Sequence, residues 1–470
     1  MGKLKPIKLF AEFKIVLLVL VFISIFLLAQ VMRGPFLIGD EAYSNLRTAE
    51  NILEEKGIPD YDELSYGGRD VSYPIGYSFL LFLFSFLSGT GVILASKAVP
   101  FMLSIFNLIL FYFILKTLKI DSRIRILSSL VLVISPPFLY LNSVSTNIGM
   151  ILFLGLLGFL FLIKDKKIFS AIPFLLMLFF NIVLTYISLL LLFFYISKRK
   201  GYMKWFFLIL LLVVAGTFVL YGFNFGYRED VGFNSFISDL GGEFGIGVFS
   251  IIPLIFGLKA MWKEKYRHSL LYFLLIILVL LSFYYLETLF YLNFFVAVIA
   301  AFGINEILNI KWESSLINRF TLLIIGLGMI FSGLSFVNVL SDMNPNDEVF
   351  ALNYLREDSG PDDTVFSHYS RGNWISGIAE RRNVMDSNFI NAPSLEERIN
   401  DSYEIFYSRE SDRISELLSK YSVDYIFIDS DLKRRLWKTE EEGLLLSFKY
   451  DKRFKIVYET NSIEIWRFEA

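Results

Sequence analysis

Long apolar segments recur along this sequence as far as residue 340, and they constrain the fold more than any other feature. A helix of roughly 20 apolar residues crosses the ~30 Å hydrocarbon core of a membrane. A water-soluble domain could not cover so much apolar surface in a chain of 470 residues that is 55% hydrophobic. Spanning helices are predicted at Ile15–Met32, Val92–Leu115, Ile126–Leu141, Ile148–Ile163, Trp205–Tyr221, Phe244–Trp262, Ser269–Leu286, Leu289–Asn305 and Phe320–Leu340.

The basic residues predict how these helices cross the membrane. The apolar stretch Ile168–Ser197 is interrupted near its middle by Asn181, which favours two short segments over one helix. With that pair included, about eleven spans place all basic clusters on the cytoplasmic side, as lysine and arginine prefer. The N-terminus is then cytoplasmic and the C-terminus external, and Ile75–Ser88 lies at the outer face without crossing. The clusters lie at residues 3–8, 116–125, 164–167, 198–204, 263–267 and 311–319.

Two parts of the chain follow from this topology. Residues 1–340 form a polytopic α-helical membrane domain, in which residues 33–91 are an external loop with interfacial helices. Residues 341–470 are polar enough to form a separate external domain of the α/β class. Strands in it are predicted at Thr364–His368, Asn383–Met385, Val423–Asp429, Phe454–Glu459 and Ile463–Phe468, and helical segments at Asp347–Glu357 and Ser394–Lys420.

Composition excludes several kinds of chemistry. The chain has no cysteine, so it has no disulfide and no thiolate nucleophile. It has two histidines, too few for a metal centre built on histidine. No nucleic-acid partner is expected. The lysine-, glutamate- and isoleucine-rich composition suggests a thermophilic archaeal source.

The acidic pair Asp40-Glu41 follows the first predicted span by about one helical turn. A carboxylate at that level can take a proton from an acceptor hydroxyl while the hydroxyl attacks a sugar carried on a lipid phosphate. Spacing alone favours a simpler reading, in which Asp40 is an interfacial charge or an N-cap for the amphipathic helix predicted at Ala42–Lys56.

Several short motifs surround this pair: Gly39-Asp40-Glu41-Ala-Tyr43, Ala49-Glu50-Asn51-Ile52-Leu53, Gly57-Ile-Pro59 and Tyr73-Pro74-Ile-Gly76-Tyr77. Together they resemble the first external loop of the GT-C glycosyltransferases. This superfamily includes protein O-mannosyltransferases, lipid A aminoarabinose transferases and oligosaccharyltransferases. In the tail, Val365–Ile375, Glu380-Arg381 and Asp386–Asn388 look like a stretch of the archaeal oligosaccharyltransferases.

The resemblance implies a membrane glycosyltransferase with a GT-C-like bundle. It would move a sugar from a polyprenyl (dolichyl-type) phosphate donor to a lipid-linked glycan or a protein on the external face. Transfer would be inverting, with Asp40 as the base and Glu41 as a positioning residue or weak metal ligand. The alternatives are oligosaccharyltransferase-like transfer of a whole lipid-linked glycan to protein, and a transporter or flippase for lipid-linked sugars.

Two departures from the family bear on these alternatives. Where oligosaccharyltransferases carry a Trp-Trp-Asp-Tyr-Gly motif that reads the acceptor, this chain has His368-Tyr-Ser-Arg-Gly372. Its second external loop, Asn142–Asn147, has no acid, although metal-dependent members carry one there. No cofactor is therefore expected to be required, with Mg²⁺ or Mn²⁺ left as an open alternative.

The remaining candidate site residues have two predicted roles. Arg69, Arg228 and Tyr73 are candidates for holding the donor phosphate, although a solvated surface is an equal reading for both arginines. Acceptor-binding or cavity-lining roles are predicted for Glu287, Glu243, Asn147, His368 and Arg371.

Overall fold

The protein is described as a computed structural model that covers residues 16–17, 19–21, 23–25, 27–28, 34, 36–71, 74–197, 199, 201–221, 233–240, 242, 244–263, 265–310, 314–342, 346–390, 392–439 and 441–469. The chain divides into two compact units. The first comprises Met1–Pro35, Lys97–Gly222 and Arg228–Met343, and the second comprises Phe36–Ser96, Phe223–Tyr227 and Asn344–Ala470. This division differs from the predicted one, because residues 36–96 group with the tail.

Helices make up most of the described chain. The first of its described residues, between 16 and 28, are already helical. The longer helices that follow are α1 (Asp40–Glu55), α2 (Gly76–Ser88), α3 (Val92–Thr117), α4 (Ser122–Val133), α5 (Pro136–Ser143), α6 (Ile148–Ile163), α7 (Lys167–Leu176), α8 (Ile182–Ile196), α9 (Met203–Tyr221), α10 (Val248–Trp262), α11 (Lys265–Ser282), α12 (Thr288–Asn309), α13 (Ser315–Asp342), α14 (Asn346–Asp358), α15 (Leu395–Tyr407), α16 (Ser411–Lys420), α17 (Ser430–Leu436) and α18 (Gly443–Tyr450).

In the described part of the chain, four helices are long and apolar enough to cross a membrane: α3, α9, α12 and α13. The pair α4 and α5, bent by 62° at its break, would make a fifth. Six further apolar helices have between 10 and 17 residues within the described ranges. The chain is thus a helical membrane protein, and the count of eleven spans remains a prediction.

Two apolar stretches are broken by identifiable residues. The predicted break at Asn181 is present, because α7 ends before it and its side-chain oxygen accepts from the Leu184 N–H at the start of α8. The stretch Ile126–Leu141, predicted as one span, is instead two helices. Pro136 starts the second of these at a position where a missing N–H costs nothing.

Helix α2 is too short to cross the membrane by itself. At ~1.5 Å per residue its thirteen residues extend about 20 Å, against ~30 Å of hydrocarbon. It belongs to the second unit, where Ser78 on its buried face donates to Asn45 of α1. Phe79, Leu83 and Phe86 are exposed on its other face.

The second unit is built around a five-stranded sheet with the order β4-β3-β5-β7-β6. Strand β3 is parallel to β4 and β5, whereas β7 is antiparallel to β5 and β6. A two-residue ladder, β1 with β2, lies in the first loop. The strands are β1 (Tyr61–Asp62), β2 (Arg69–Asp70), β3 (Thr364–Phe366), β4 (Arg382–Asn383), β5 (Val423–Asp429), β6 (Phe454–Glu459) and β7 (Ile463–Phe468).

The predicted elements of the tail are present with changed bounds in four places. The helix predicted at Asp347–Glu357 is one residue longer at each end. Strand β3 ends at Phe366, two residues earlier than predicted, and the Ser367 hydroxyl donates to the Phe427 carbonyl oxygen at 2.8 Å. Strand β4 begins one residue earlier and ends two residues earlier than predicted. The charged helix predicted from Ser394 to Lys420 is two helices, α15 and α16.

Candidate active site

Asp40 is the first residue of helix α1, and a glycine precedes it. Gly39 occupies the N-cap position with φ 86° and ψ 151°, a conformation that favours glycine. The helix has no side-chain cap, so Asp40 does not serve as its N-cap. Its carboxylate is instead available for contacts with the tail segment of the same unit.

Three donors from the tail bind this carboxylate. The Asn373 amide and the Ser387 hydroxyl donate to Oδ2 at 2.6 and 2.9 Å, and the Trp374 backbone N–H donates to Oδ1 at 3.1 Å. The Asn373 amide also contacts the Ser387 hydroxyl, at 2.8 Å. A carboxylate offers about four acceptor positions. The described donors therefore occupy three of these positions, and the fourth is on Oδ1.

The environment of Asp40 tunes its protonation. Burial raises the pKa of Asp40 to about 7, and the charge of Asp386 acts in the same direction. The bonds from Asn373 and Ser387 and the charge of Arg371 oppose this rise by favouring the carboxylate. A carboxyl group that is half ionised near neutrality is suited to general-base chemistry at that pH.

A second layer of polar contacts fixes the segment that carries Ser387. The Asp386 carboxylate accepts from the Ser65 hydroxyl at 2.5 Å and from the Asn388 N–H at 2.9 Å. The Tyr66 hydroxyl donates to the Asp386 carbonyl oxygen at 2.8 Å. Residues of the first loop thus hold the tail segment that in turn holds Asp40.

Arg371 contacts Trp374, whose backbone N–H binds Asp40. Its guanidinium donates to Asp429 at 2.5 Å and to Asp431 at 3.0 Å, and it lies 4.7 Å from the centre of the Trp374 ring. The side chain is 13% exposed, so the Asp429 ion pair is largely removed from water. Arg371 therefore orients the turn whose backbone N–H, at Trp374, binds the carboxylate of Asp40.

His368 lines a small recess of about 50 Å³, together with Tyr369, Tyr403 and Phe406. Its Nδ1 lies 2.9 Å from the Ser370 hydroxyl and accepts the Ser370 N–H at 3.3 Å, which places the proton of the neutral ring on Nε2. Burial, with smaller contributions from the charges of Arg435 and Arg371, lowers the pKa of His368 to about 4. The imidazole is therefore neutral at physiological pH.

The other predicted site residues are not all brought to Asp40. Glu41 follows it in the first turn of α1 and is partly buried. Arg69 is buried, with a bond of 2.5 Å to the Asn388 carbonyl oxygen and a cation–π contact to Tyr66, so it stabilises the second unit from inside. Tyr73, Arg228 and Glu243 lie outside the described residues.

Two predicted residues lie in the first unit, each at the start of a helix. Asn147 occupies the N-cap position of α6, and Glu287 occupies that of α12. Both are partly buried. That these two residues line an acceptor path remains a prediction.

The described donors around Asp40 are not of the kind that ligates a hard cation. Its partners are an amide nitrogen, a backbone N–H and a hydroxyl, whereas Mg²⁺ and Mn²⁺ select carboxylate, carbonyl and water oxygens. Among the residues that the structure describes, no three acidic or histidine side chains gather in a way that could hold a metal ion.

Sequence reasoning missed the direct partners of Asp40. Asn373 and Ser387 lie 333 and 347 residues from it along the chain. The one signal was that both fall in tail segments that resemble the archaeal oligosaccharyltransferases.

No family model matches the sequence, and no curated protein matches it. Solved structures do match its fold. The archaeal oligosaccharyltransferase AglB of Archaeoglobus fulgidus, in complex with an inhibitory peptide and a dolichol-phosphate, is 13% identical with a TM-score of 0.64. That match covers 95% of this chain and 74% of AglB.

Two other transferases are similar over nearly the whole chain. ArnT of Cupriavidus metallidurans, bound to undecaprenyl phosphate, is 8% identical with a TM-score of 0.55, and the match covers 97% of this chain and 98% of ArnT. The arabinofuranosyltransferase AftD from Mycobacteria is 15% identical with a TM-score of 0.55 over 96% of this chain and 40% of AftD. The chain therefore has the GT-C fold of membrane glycosyltransferases.

Proposed function

We propose that this protein transfers a sugar from a polyprenyl (dolichyl-type) phosphate to an acceptor on the external face of the cell membrane, with inversion. The observation that carries the proposal is the carboxylate of Asp40, which three tail donors hold with one acceptor position left on Oδ1. Its pKa of about 7 leaves it able to take a proton at physiological pH.

The reaction is a single displacement. The acceptor hydroxyl attacks the anomeric carbon, and the bond from that carbon to the phosphate oxygen breaks as the new glycosidic bond forms. The electron pair of the broken bond goes to the polyprenyl phosphate, and the hydroxyl proton goes to Asp40. A single displacement inverts the anomeric configuration. Glu41, the next residue, acts as a positioning residue.

Lipid phosphates in two similar structures support the donor class. AglB carries a dolichol-phosphate and ArnT an undecaprenyl phosphate. For the donor phosphate in this chain we retain Arg228 and Tyr73, and Arg69 as a third candidate. Because Arg69 is buried in the second unit, Arg228 is the residue to test first.

The proposed topology has about eleven spans, a cytoplasmic N-terminus and an external tail. The basic clusters support it through the preference of lysine and arginine for the cytoplasmic side. Helix α2, with exposed Phe79, Leu83 and Phe86, fits a helix that lies in the outer interface instead of crossing.

The mechanism requires no metal. The donors around Asp40 support this, because they stabilise its negative charge without any cation. Chelation of the purified protein should leave the rate unchanged, and added Mg²⁺ or Mn²⁺ should not raise it. Loss of activity on chelation, restored by either ion, would instead favour the oligosaccharyltransferase-like alternative.

That alternative, transfer of a whole lipid-linked glycan to protein, is favoured by the similarity to AglB. The segment His368–Gly372 weighs against it, because the acceptor-reading motif of that group is replaced there. The acceptor in our proposal is a lipid-linked glycan or a protein.

The test is a transfer assay in proteoliposomes that contain a polyprenyl-phosphate sugar and membrane extract as the acceptor source. Wild-type protein should release free polyprenyl phosphate, and Asp40→Asn should lower this turnover by ~10²-fold or more. The matched control is Asp70→Asn, an exposed acid of the same loop, which should retain full activity. Near-normal turnover by Asp40→Asn refutes the assignment, and movement of intact donor between leaflets without release identifies a flippase.

A further inference from the structure

The first unit contains a cavity of about 600 Å³ among helices α3, α6, α7, α8, α11 and α12. Leucine and phenylalanine side chains make up most of its lining. Two of its polar groups satisfy each other, since Ser188 Oγ and the Tyr291 hydroxyl lie 2.6 Å apart. Tyr291 also reaches the Leu184 carbonyl oxygen, at 3.2 Å. The lining is therefore mostly apolar, and apolar cavities take up apolar molecules.

Among the described residues, one charged side chain lines this cavity. Arg199 follows the end of α8 and is 34% exposed, so it has access both to the cavity and to the surroundings. Its guanidinium lies 4.7 Å from the centre of the Tyr195 ring. Its carboxylate neighbour is Asp165, at 3.5 Å and 71% exposed, which is a weak and solvated partner.

The surroundings of Arg199 are basic. Lys167 lies 4.2 Å from the centre of the Tyr202 ring, and Arg199 lies 5.7 Å from the same ring. Lys164 and Lys166 lie in the connection that leads into α7. One acid, Asp165, stands among these four cations, so this end of the cavity carries a net positive charge.

We infer that this cavity holds one hydrocarbon chain of an anionic membrane lipid, whose phosphate lies against Arg199. A water-sized group occupies about 30 Å³. A volume of about 600 Å³ therefore accommodates on the order of twenty such groups, the size of one lipid chain. The positive charge at the mouth selects an anionic headgroup, which a zwitterionic lipid does not offer.

The lipid is distinct from the sugar donor. Arg199 belongs to a basic cluster that the sequence predicts to be cytoplasmic, whereas the Asp40 loop is predicted to be external. The inference stands without the proposed reaction, because it depends on the contacts of the first unit alone. It assigns the site a role in anchoring lipid within the bundle.

The test measures which lipid stays bound to the full chain. Protein purified in detergent is mixed with equal amounts of chain-matched phosphatidylglycerol and phosphatidylcholine, and bound lipid is counted by native mass spectrometry. Phosphatidylglycerol should be retained about fivefold more than phosphatidylcholine. This ratio corresponds to the binding free energy that one basic residue contributes at an anionic surface. Equal retention of the two lipids overturns the inference.

Charge variants sharpen the assignment. Arg199→Gln should abolish the preference, and Asp165→Asn should strengthen it by removing the competing carboxylate. The matched control is Arg123→Gln, because Arg123 is exposed at the start of α4 and does not line the cavity. A preference that survives Arg199→Gln, or that is lost equally in Arg123→Gln, contradicts the proposal.

Filling the cavity with a larger side chain tests where the hydrocarbon chain of the lipid lies. A Cβ at Gly155 would lie 3.5 Å from Ser188 Oγ, which is ordinary contact, so Gly155→Ala should still bind lipid. The longer side chain of Gly155→Leu must enter the cavity and should reduce binding of both lipids. Polyprenyl phosphate, added as a competitor, should not displace phosphatidylglycerol, and displacement would contradict a lipid distinct from the sugar donor. Unchanged lipid binding by a folded Gly155→Leu overturns the proposed location.

Discussion

The two units of this chain are stabilised by different interactions. In the first unit, ion pairs lie at helix ends and are exposed, as with Lys263 and Glu306, whose side chains are 70% and 37% exposed. In the second unit, Arg47 and Asp62 form a two-bonded pair at 2.7 and 2.5 Å, with side chains 10% and 5% exposed. The described ion pairs of the first unit are therefore exposed, whereas the second unit contains buried ion pairs beside exposed ones.

This difference explains where the candidate chemistry lies. An apolar bundle in lipid packs well with many combinations of leucine and phenylalanine, so it specifies no single arrangement of polar groups. A buried carboxylate must have its partners, because an unpaired one costs several kcal/mol. The network from Arg47 to Asp386 therefore defines one geometry for the loop and the tail, and Asp40 is held within it.

The largest expected effect comes from breaking the buried pair. Arg47→Met leaves the Asp62 carboxylate buried without a cation and should destabilise the second unit by about 3–5 kcal/mol. Lys263→Met, the matched change in the first unit, should cost within about 1 kcal/mol because its pair is exposed. Hydrogen exchange reports each unit separately, through peptides that cover residues 36–71 and α10 to α12.

A double variant tests the cause. The N–H groups of Leu64 and Ser65 both donate to Asp62 Oδ1, at 3.1 and 3.2 Å. Asn at position 62 retains that oxygen and has no charge, so Arg47→Met with Asp62→Asn should recover most of the lost protection. If the double variant exchanges as fast as the single one, packing of the arginine stem dominates over its charge.

The next effect concerns the pKa of Asp40. Asn373→Asp replaces a donor by a second carboxylate, which raises the pKa of Asp40 by about 1 unit or more. Under the proposed function, the rising limb of the pH–rate profile lies near 7 in the wild type and moves to higher pH in the variant. The rate at pH 7 should fall about fivefold and recover above pH 9.

Two further variants make this result specific. Ser387→Ala removes one donor without adding charge, so the profile should move in the same direction by a smaller step. Asn461→Asp makes the same chemical change at the exposed turn between β6 and β7 and should leave the profile unmoved. A loss of rate that is constant with pH would mean that Asn373 affects structure and not the ionisation of Asp40.

Local features of the sequence predicted the helices of the first unit well. Helix α6 has the predicted bounds, and α3 extends two residues beyond them, because an apolar run is visible in any short window. The bend at Pro136 was missed because hydropathy measures how apolar a segment is and not whether its backbone can continue a helix. The ring of proline and its missing N–H prevent one continuous helix there.

The site was predicted only in part, because its contacts are distant in the chain. Asp40 was found from its motif and its place after a span. Asn373 and Ser387 carry no periodic pattern, and nothing local indicates that they approach a residue more than 300 positions away. Arg69 was predicted as an external cation, but the short ladder of β1 and β2 leaves it 4% exposed. Burial of this kind depends on tertiary contacts.

The smallest effect concerns His368, whose ring is held neutral by burial and by the nearby arginines Arg435 and Arg371. Its pKa of about 4 in the folded chain is below the ordinary value of 6.5. At His368 the unfolded chain therefore binds more protons between these values, so the contribution of this residue to stability is full above pH 6.5 and falls by about 2 kcal/mol as pH decreases toward 5.

The titration of this residue can be observed without ambiguity, since the chain has two histidines. In a His268→Gln variant the remaining imidazole resonance belongs to His368, and its midpoint should lie near pH 4 by NMR. Arg435→Gln removes the larger of the two cationic contributions and should raise that midpoint toward 6.5. A midpoint already near 6.5 in His268→Gln would show that water reaches the ring, and that the recess beside Tyr369 is open in solution. The contribution of His368 to the stability of the second unit would then be independent of pH in this range.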